Sequence, residues 1–153
     1  MEALTRDDPQ VMTCSVHDRT IFPWTGHADE PERLVYSHPL AAGSGDTELL
    51  QSVAALVERA KQWGPDVLLI AIGADGHETD PLSSLKYSYD GHRSTPQLLG
   101  ELAAELRVPV LMGGAGGYQP TTHTPAVWAT FVEHLYAARS AAPAKTLRGG
   151  QPP

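Results

Sequence analysis

Val67-Leu68-Leu69-Ile70-Ala71-Ile72-Gly73-Ala74-Asp75 is the stretch that decides the fold. Six apolar residues run without a polar interruption and end in a turn. That pattern predicts a strand buried on both faces of a parallel sheet, because a strand with one wet face alternates apolar and polar positions. The run is far too short to cross a bilayer, which takes about 20 apolar residues.

The flanking elements extend the pattern. Upstream, Asp46 reads as an N-cap, and Leu49, Leu50, Val53, Leu56, Val57 and Ala60 recur at helical spacing until Trp63-Gly64-Pro65. Downstream, a helix is expected over roughly Thr95 to Leu106, then a strand over Val108 to Met112, then a helix from about Pro125 to Ala138. Closer to the start, Val11 to Val16 reads as a strand. The loop over 18–33 is long enough to carry function or to be disordered. Leu34 to Ser37 reads as a short strand ended by Pro39. The stretch 141–153, rich in Ala, Pro and Gly, is expected to be a disordered tail. Strands alternating with helices predict an α/β fold: three α/β/α layers around a mainly parallel sheet.

The bulk composition narrows the function. The chain has 153 residues, enough for one domain with a real core, and a formal net charge of -7 from 11 Lys plus Arg against 18 Asp plus Glu. With no basic run, nucleic acid is not an expected partner. The single cysteine, Cys14, allows no internal disulfide and fits a reducing cytoplasm. No signal-peptide pattern opens the sequence, so a soluble cytoplasmic protein without membrane partners is the expectation.

Ligands of open parallel sheets bind at the carboxyl ends of the strands. Two segments fall there: Gly73-Ala74-Asp75-Gly76-His77-Glu78-Thr79-Asp80-Pro81-Leu82, and Gly113-Gly114-Ala115-Gly116-Gly117-Tyr118. Asp75 either caps its turn or presents a carboxylate to a metal. His77 completes an Asp-x-His pair, yet reads more simply as a surface histidine in a turn. The glycine-rich loop is not a phosphate cradle. Counted from Gly114, the sixth place is Gln119 where a dinucleotide loop needs Gly, and no Gly-Lys-Ser/Thr follows. These glycines let backbone approach backbone, leaving Tyr118 either as a packed ring or as a hydroxyl presented to the cleft.

Taken in order, Val11 to His17, Phe22-Pro-Trp-Thr-Gly26, Pro39-Leu40, Gly43-Ser-Gly45-Asp46, Gly-Ala-Asp…Asp-Pro-Leu and Gly-Gly-Tyr with Trp128 beyond it resemble the histone deacetylase superfamily, closest to its bacterial acetoin-utilisation branch. The resemblance covers about residues 2 to 138, and residues 1–140 then read as the C-terminal half of such a domain. It implies hydrolysis of an acetylated amine by water activated on zinc. It implies that Asp75 is a zinc ligand and that Tyr118 donates a hydrogen bond to the tetrahedral oxyanion. It places Phe22, Leu82, Gly116 and Gly117 along the narrow acyl channel. Ser15 and Val16 fall in a site for a monovalent cation such as potassium.

The departures count as much. In the family, a His-His pair and an Asp-x-His pair of zinc ligands precede the part that this chain matches. The chain alone is therefore expected to be inactive, without tightly bound zinc, and to leave a sheet edge bare. Its expected partners are the missing N-terminal half or a second copy of itself. Trp24 stands where the family usually has Gly and is expected to crowd the channel mouth; Pro31 to Leu34 replaces a longer glycine-rich stretch. Two rival readings are a non-catalytic relic or docking module, and one half of a split hydrolase.

Overall fold

The computed structural model describes residues 2–141. The element order is α1 (Glu2–Thr5), β1 (Thr13–Asp18), β2 (Val35–Leu40), α2 (Asp46–Trp63), β3 (Leu68–Ile72), α3 (Tyr89–Leu106), β4 (Val110–Gly114) and α4 (His123–Ala141), with a 3-10 turn at Pro31–Arg33. Ala141 ends α4; the rest of the expected tail lies outside the described residues.

The strands pair in parallel as two separate ribbons. In one, Thr13 of β1 lies opposite Val35 of β2 and Asp18 opposite Leu40. In the other, Leu68 of β3 lies opposite Val110 of β4 and Ile72 opposite Gly114. No hydrogen-bonded ladder joins the two ribbons among the described residues. A single layer of helices backs them, with α2 against α3 and α3 against α4. Helix and sheet thus supply two of the three expected layers.

Two cores form under this layer. Leu40, Leu49, Val53, Leu85 and Tyr87 make the first, joined by Val16, Val57 and Leu98. Ile72, Phe131 and Leu135 make the second, joined by Ile70, Leu99, Val110, Met112 and Trp128. The neighbouring residues Leu98 and Leu99 of α3 therefore serve different cores. Gly100 of α3 lies so close to the Leu135 carbonyl and Ala138 of α4 that a Cβ would overlap them, which sets the tight helix crossing.

The deciding strand is buried on one face only. Ile70 and Ile72 point to the helices, whereas Leu69 is 59% exposed and its neighbour Leu111 in β4 is 67% exposed. Continuous apolarity is what a strand covered on both sides needs, and nothing among the described residues covers the second side.

Several boundaries move for identifiable reasons. Gly45, not Asp46, is the N-cap of α2, and the Glu48 carboxylate accepts the Gly45 amide hydrogen (2.9 Å). Asp46 is thereby free to accept the Ser88 amide (2.8 Å) and hydroxyl (2.6 Å). Ser88 in turn caps α3, which starts six residues before the expected Thr95 and carries Pro96 inside it. Proline there forfeits one backbone bond, but its ring is fully buried. β2 runs through Pro39 because, among the described residues, it pairs on one side only, where a missing donor is tolerated. β4 begins at Val110 since the Val108 amide is used to close α3, donating to the Ala103 carbonyl (3.1 Å).

Candidate functional site

Because β3 and β4 are parallel, both carboxyl ends open at one edge, and the loops that follow them interlock there. Ala115 donates to the Ile72 carbonyl (2.8 Å) and Ala74 to the Gly116 carbonyl (2.6 Å). The glycine-rich loop is thus folded over the Asp75 turn. A Cβ on Gly73 or on Gly116 would run into the Asp75 carboxylate. Gly117 has φ +140, a conformation that favours glycine, and Thr124 and Ala74 fill the space beside it.

Asp75 is half-buried. Burial holds its carboxyl above the usual range, Asp80 and Asp18 add to this, and only its own amide hydrogen opposes them. No cationic side chain pairs with it among the described residues. A half-buried carboxylate raised by burial and like charge gains most from a bound cation. Yet among the described residues no three His, Cys, Asp or Glu side chains form a group that could hold a metal ion. Asp75 has the chemistry of one ligand and lacks companions, so these residues do not by themselves fit a catalytic zinc, which uses three protein ligands.

The other expected residues divide by position. Gly116 and Gly117 lie against Asp75 and Ala74. Tyr118, 52% exposed, is tied to Leu82 through Asp80, whose carboxylate accepts both their amides. Ser15 and Val16 lie in β1, with the Ser15 hydroxyl 3.2 Å from His17 Nδ1. Phe22 lies in the loop between β1 and β2. It is 76% exposed, and its ring meets Trp24 edge-on at 5.7 Å. Trp24 holds a left-handed φ of 54, a conformation that glycine adopts without strain.

His77 corrects the expectation of a surface histidine. It is 3% exposed, because the chain from Gly76 to Glu78 bonds to Tyr87 and draws its ring inward. Its ring stacks on His123 at 4.6 Å and on His92 at 5.9 Å, with Tyr89 edge-on at 4.8 Å. His77 Nδ1 lies 2.9 Å from the Thr79 hydroxyl, and the Tyr89 hydroxyl lies 2.7 Å from His123 Nδ1. Burial, then His123, depresses the His77 pKa, so it is a neutral packing residue under the Asp75 turn. Asp18, Asp80, His92 and His123 were not singled out from the sequence; for Asp80 the only signal is its place before Pro81-Leu82.

The histone deacetylase domain family matches this chain over residues 1–135. The chain belongs to the histone deacetylase family. Acetoin utilization protein AcuC of Bacillus subtilis is 32% identical over 132 residues, covering 80% of this chain and 34% of that protein. The histone deacetylase chain thus spans about a third of the length of the curated relatives it matches first. In fold it is similar to an acetylpolyamine aminohydrolase from Burkholderia pseudomallei, with TM-score 0.67, 22% identity, and coverage of 85% of this chain and 38% of that one. It is likewise similar to an HDAC homolog complexed with SAHA, with TM-score 0.72, 23% identity, and coverage of 88% and 38%. Among the described residues no helix is long and apolar enough to cross a membrane.

Proposed function

We propose that this chain is the C-terminal portion of a zinc-dependent deacetylase, acting in the cytoplasm on acetylated amines of the acetyl-lysine or acetylpolyamine type. The observation that carries this reading is the half-buried Asp75 carboxylate, held between Gly73 and Gly116 where two parallel strands end. In the complete site Asp75 would help hold a zinc ion, which would supply Lewis acidity toward the acyl carbonyl and water. Asp75 contributes one ligand, and the others come from outside this chain. Tyr118 would donate its hydroxyl hydrogen to the oxygen that becomes negative, as a donor set in place before the charge develops. Leu82, Gly116, Gly117 and Phe22 wall the acyl channel, and Ser15 and Val16 help hold a monovalent cation near it. Alone, the chain does not turn over substrate.

The test is to supply a matching N-terminal segment bearing the His-His and Asp-x-His motifs, fused or co-expressed. Zinc-dependent release of acetate from an acetyl-lysine or acetylpolyamine reporter is the expected result. A well-folded pair that binds zinc and shows no deacetylation overturns the reading.

A docking module is the second reading, favoured by the exposed Leu69 and Leu111 on the uncovered face of β3 and β4. Such a face recruits another chain, either the missing half or a second copy. Sedimentation across a wide concentration range is expected to show self-association of the isolated chain. A sharp monomer at all concentrations would argue against it.

A further inference from the structure

Two buried carboxylates grip opposite ends of one short turn. Asp80, 7% exposed, accepts the Leu82 amide at Oδ1 (2.9 Å) and the Tyr118 amide at Oδ2 (2.9 Å). Asp18, 5% exposed, closes β1. Its Oδ2 accepts the Ser84 amide (2.7 Å), the Ser84 hydroxyl (2.6 Å) and the Ser83 hydroxyl (3.3 Å). Its Oδ1 accepts the Thr20 amide (2.8 Å) and hydroxyl (2.6 Å). Leu82 hangs between these two anchors and is itself 57% exposed.

We propose that Asp80 and Asp18 are positioning residues that lock Tyr118 and Leu82 into one rigid frame, so that the hydroxyl donor and the channel wall keep a fixed spacing. The roles of Tyr118 and Leu82 rest on the deacetylase reading; the clamp rests on the hydrogen bonds of the two carboxylates alone. Bonds from amides to a carboxylate are about twice as strong as neutral ones, and in a buried setting water competes poorly for them. A second tie parallels the first: the Thr79 hydroxyl donates to Gln119 Oε1 (2.9 Å), one residue from each end of the Asp80–Tyr118 bond. The Tyr118 side chain meets solvent over half its surface, so its aim depends on where its backbone is held. A displacement of about 1 Å at such a donor costs on the order of a hundredfold in rate.

The chemistry of Asp80 yields a selective test. Asp80→Asn keeps one acceptor oxygen and converts the other into a donor. The local turn to Leu82, two residues on, retains the oxygen, leaving an NH2 facing the Tyr118 N–H. Amide hydrogen exchange, read by NMR on the full chain, is expected to accelerate at Tyr118 by about tenfold or more. The Leu82 amide and the core amides of Leu102 and Phe131 stay protected and report that the fold is intact. In the enzyme paired with its N-terminal segment, the same variant lowers kcat about ten- to a hundredfold while KM stays within about twofold. Asp18→Asn, or Ser84→Ala if the former does not fold, speeds exchange at Ser84 and leaves Tyr118 alone. Those variants raise kcat/KM for a propionyl substrate relative to the acetyl one. Unchanged Tyr118 exchange in a folded Asp80→Asn chain overturns the clamp, and faster exchange with unchanged kcat overturns its positioning role. A wild-type pair that never deacetylates sinks the deacetylase reading instead, and the exchange data still decide the clamp.

Discussion

The carboxylate of Asp75 occupies the volume that a side chain on Gly116 would need. Gly116 has no left-handed φ, and the nearest obstacle to a larger residue there is the Asp75 carboxylate. Gly116→Ala is expected to push the carboxylate aside while changing stability by less than about 1.5 kcal/mol. Thermal unfolding checks the second half, and zinc retention by the paired enzyme checks the first. Gly117→Ala behaves differently: its φ of +140 and its contacts with Thr124 and Ala74 predict a loss of about 1–3 kcal/mol.

Tyr118→Phe in the paired enzyme is expected to leave zinc and substrate binding nearly intact and to cut kcat by about a hundredfold or more, the usual effect of losing one oxyanion donor. Steady-state kinetics decide it, since full turnover without the hydroxyl would remove Tyr118 from the chemistry.

Metal analysis of the purified chain after mild chelation and desalting is expected to find far less than one zinc per molecule. One carboxylate falls short of the three protein ligands of a catalytic zinc site. Stoichiometric zinc would show that some other set of side chains gathers around Asp75. In the paired enzyme, Asp75→Asn should abolish retention, an amide being the poorer ligand.

The buried histidines give acid sensitivity with a definite sign. Burial, then His77, depresses His92 to about 4 from its ordinary value near 6.5, with Asp46 opposing. The folded state therefore resists a proton that the unfolded chain accepts below that ordinary value. Stability contributed by neutral His92 is complete above about pH 6.5 and is lost as pH falls toward 4, by on the order of 3 kcal/mol. Denaturant titrations at several pH values check this, and His92→Gln is expected to flatten the slope. His77→Ala, which empties a stacked and buried position, is expected to cost about 1–3 kcal/mol.

Much of this was readable from the residues. The apolar period of Leu49, Val53, Leu56 and Ala60 predicts α2 nearly to the residue, and Gly73-Ala74-Asp75 after a buried run marks the end of the sheet where the loops interlock. What stayed hidden depends on partners distant in sequence. The helix expected from about Thr95 starts earlier because the cap at Ser88 is anchored by Asp46, 42 residues before it. His77 reads as exposed because its stacking partners, His92 and His123, come from two different helices. Asp18 shows no purpose until Ser84, 66 residues on, is brought against it. Val67 to Ile72 reads as doubly covered because composition records the cover a strand needs and not who supplies it.

Among the described residues the two ribbons share no ladder, and the first core and the second meet at Leu98 and Leu99 of one helix. α3, together with the bonds from Asp18 of β1 to Ser84 in the loop after β3, consequently couples the two halves. Each ribbon by itself keeps only a small core, so a single thermal transition is expected only while both links hold. A matching N-terminal segment that paired with the chain would therefore do more than add ligands. It would spread the joining of the two halves over more than one helix and one buried carboxylate.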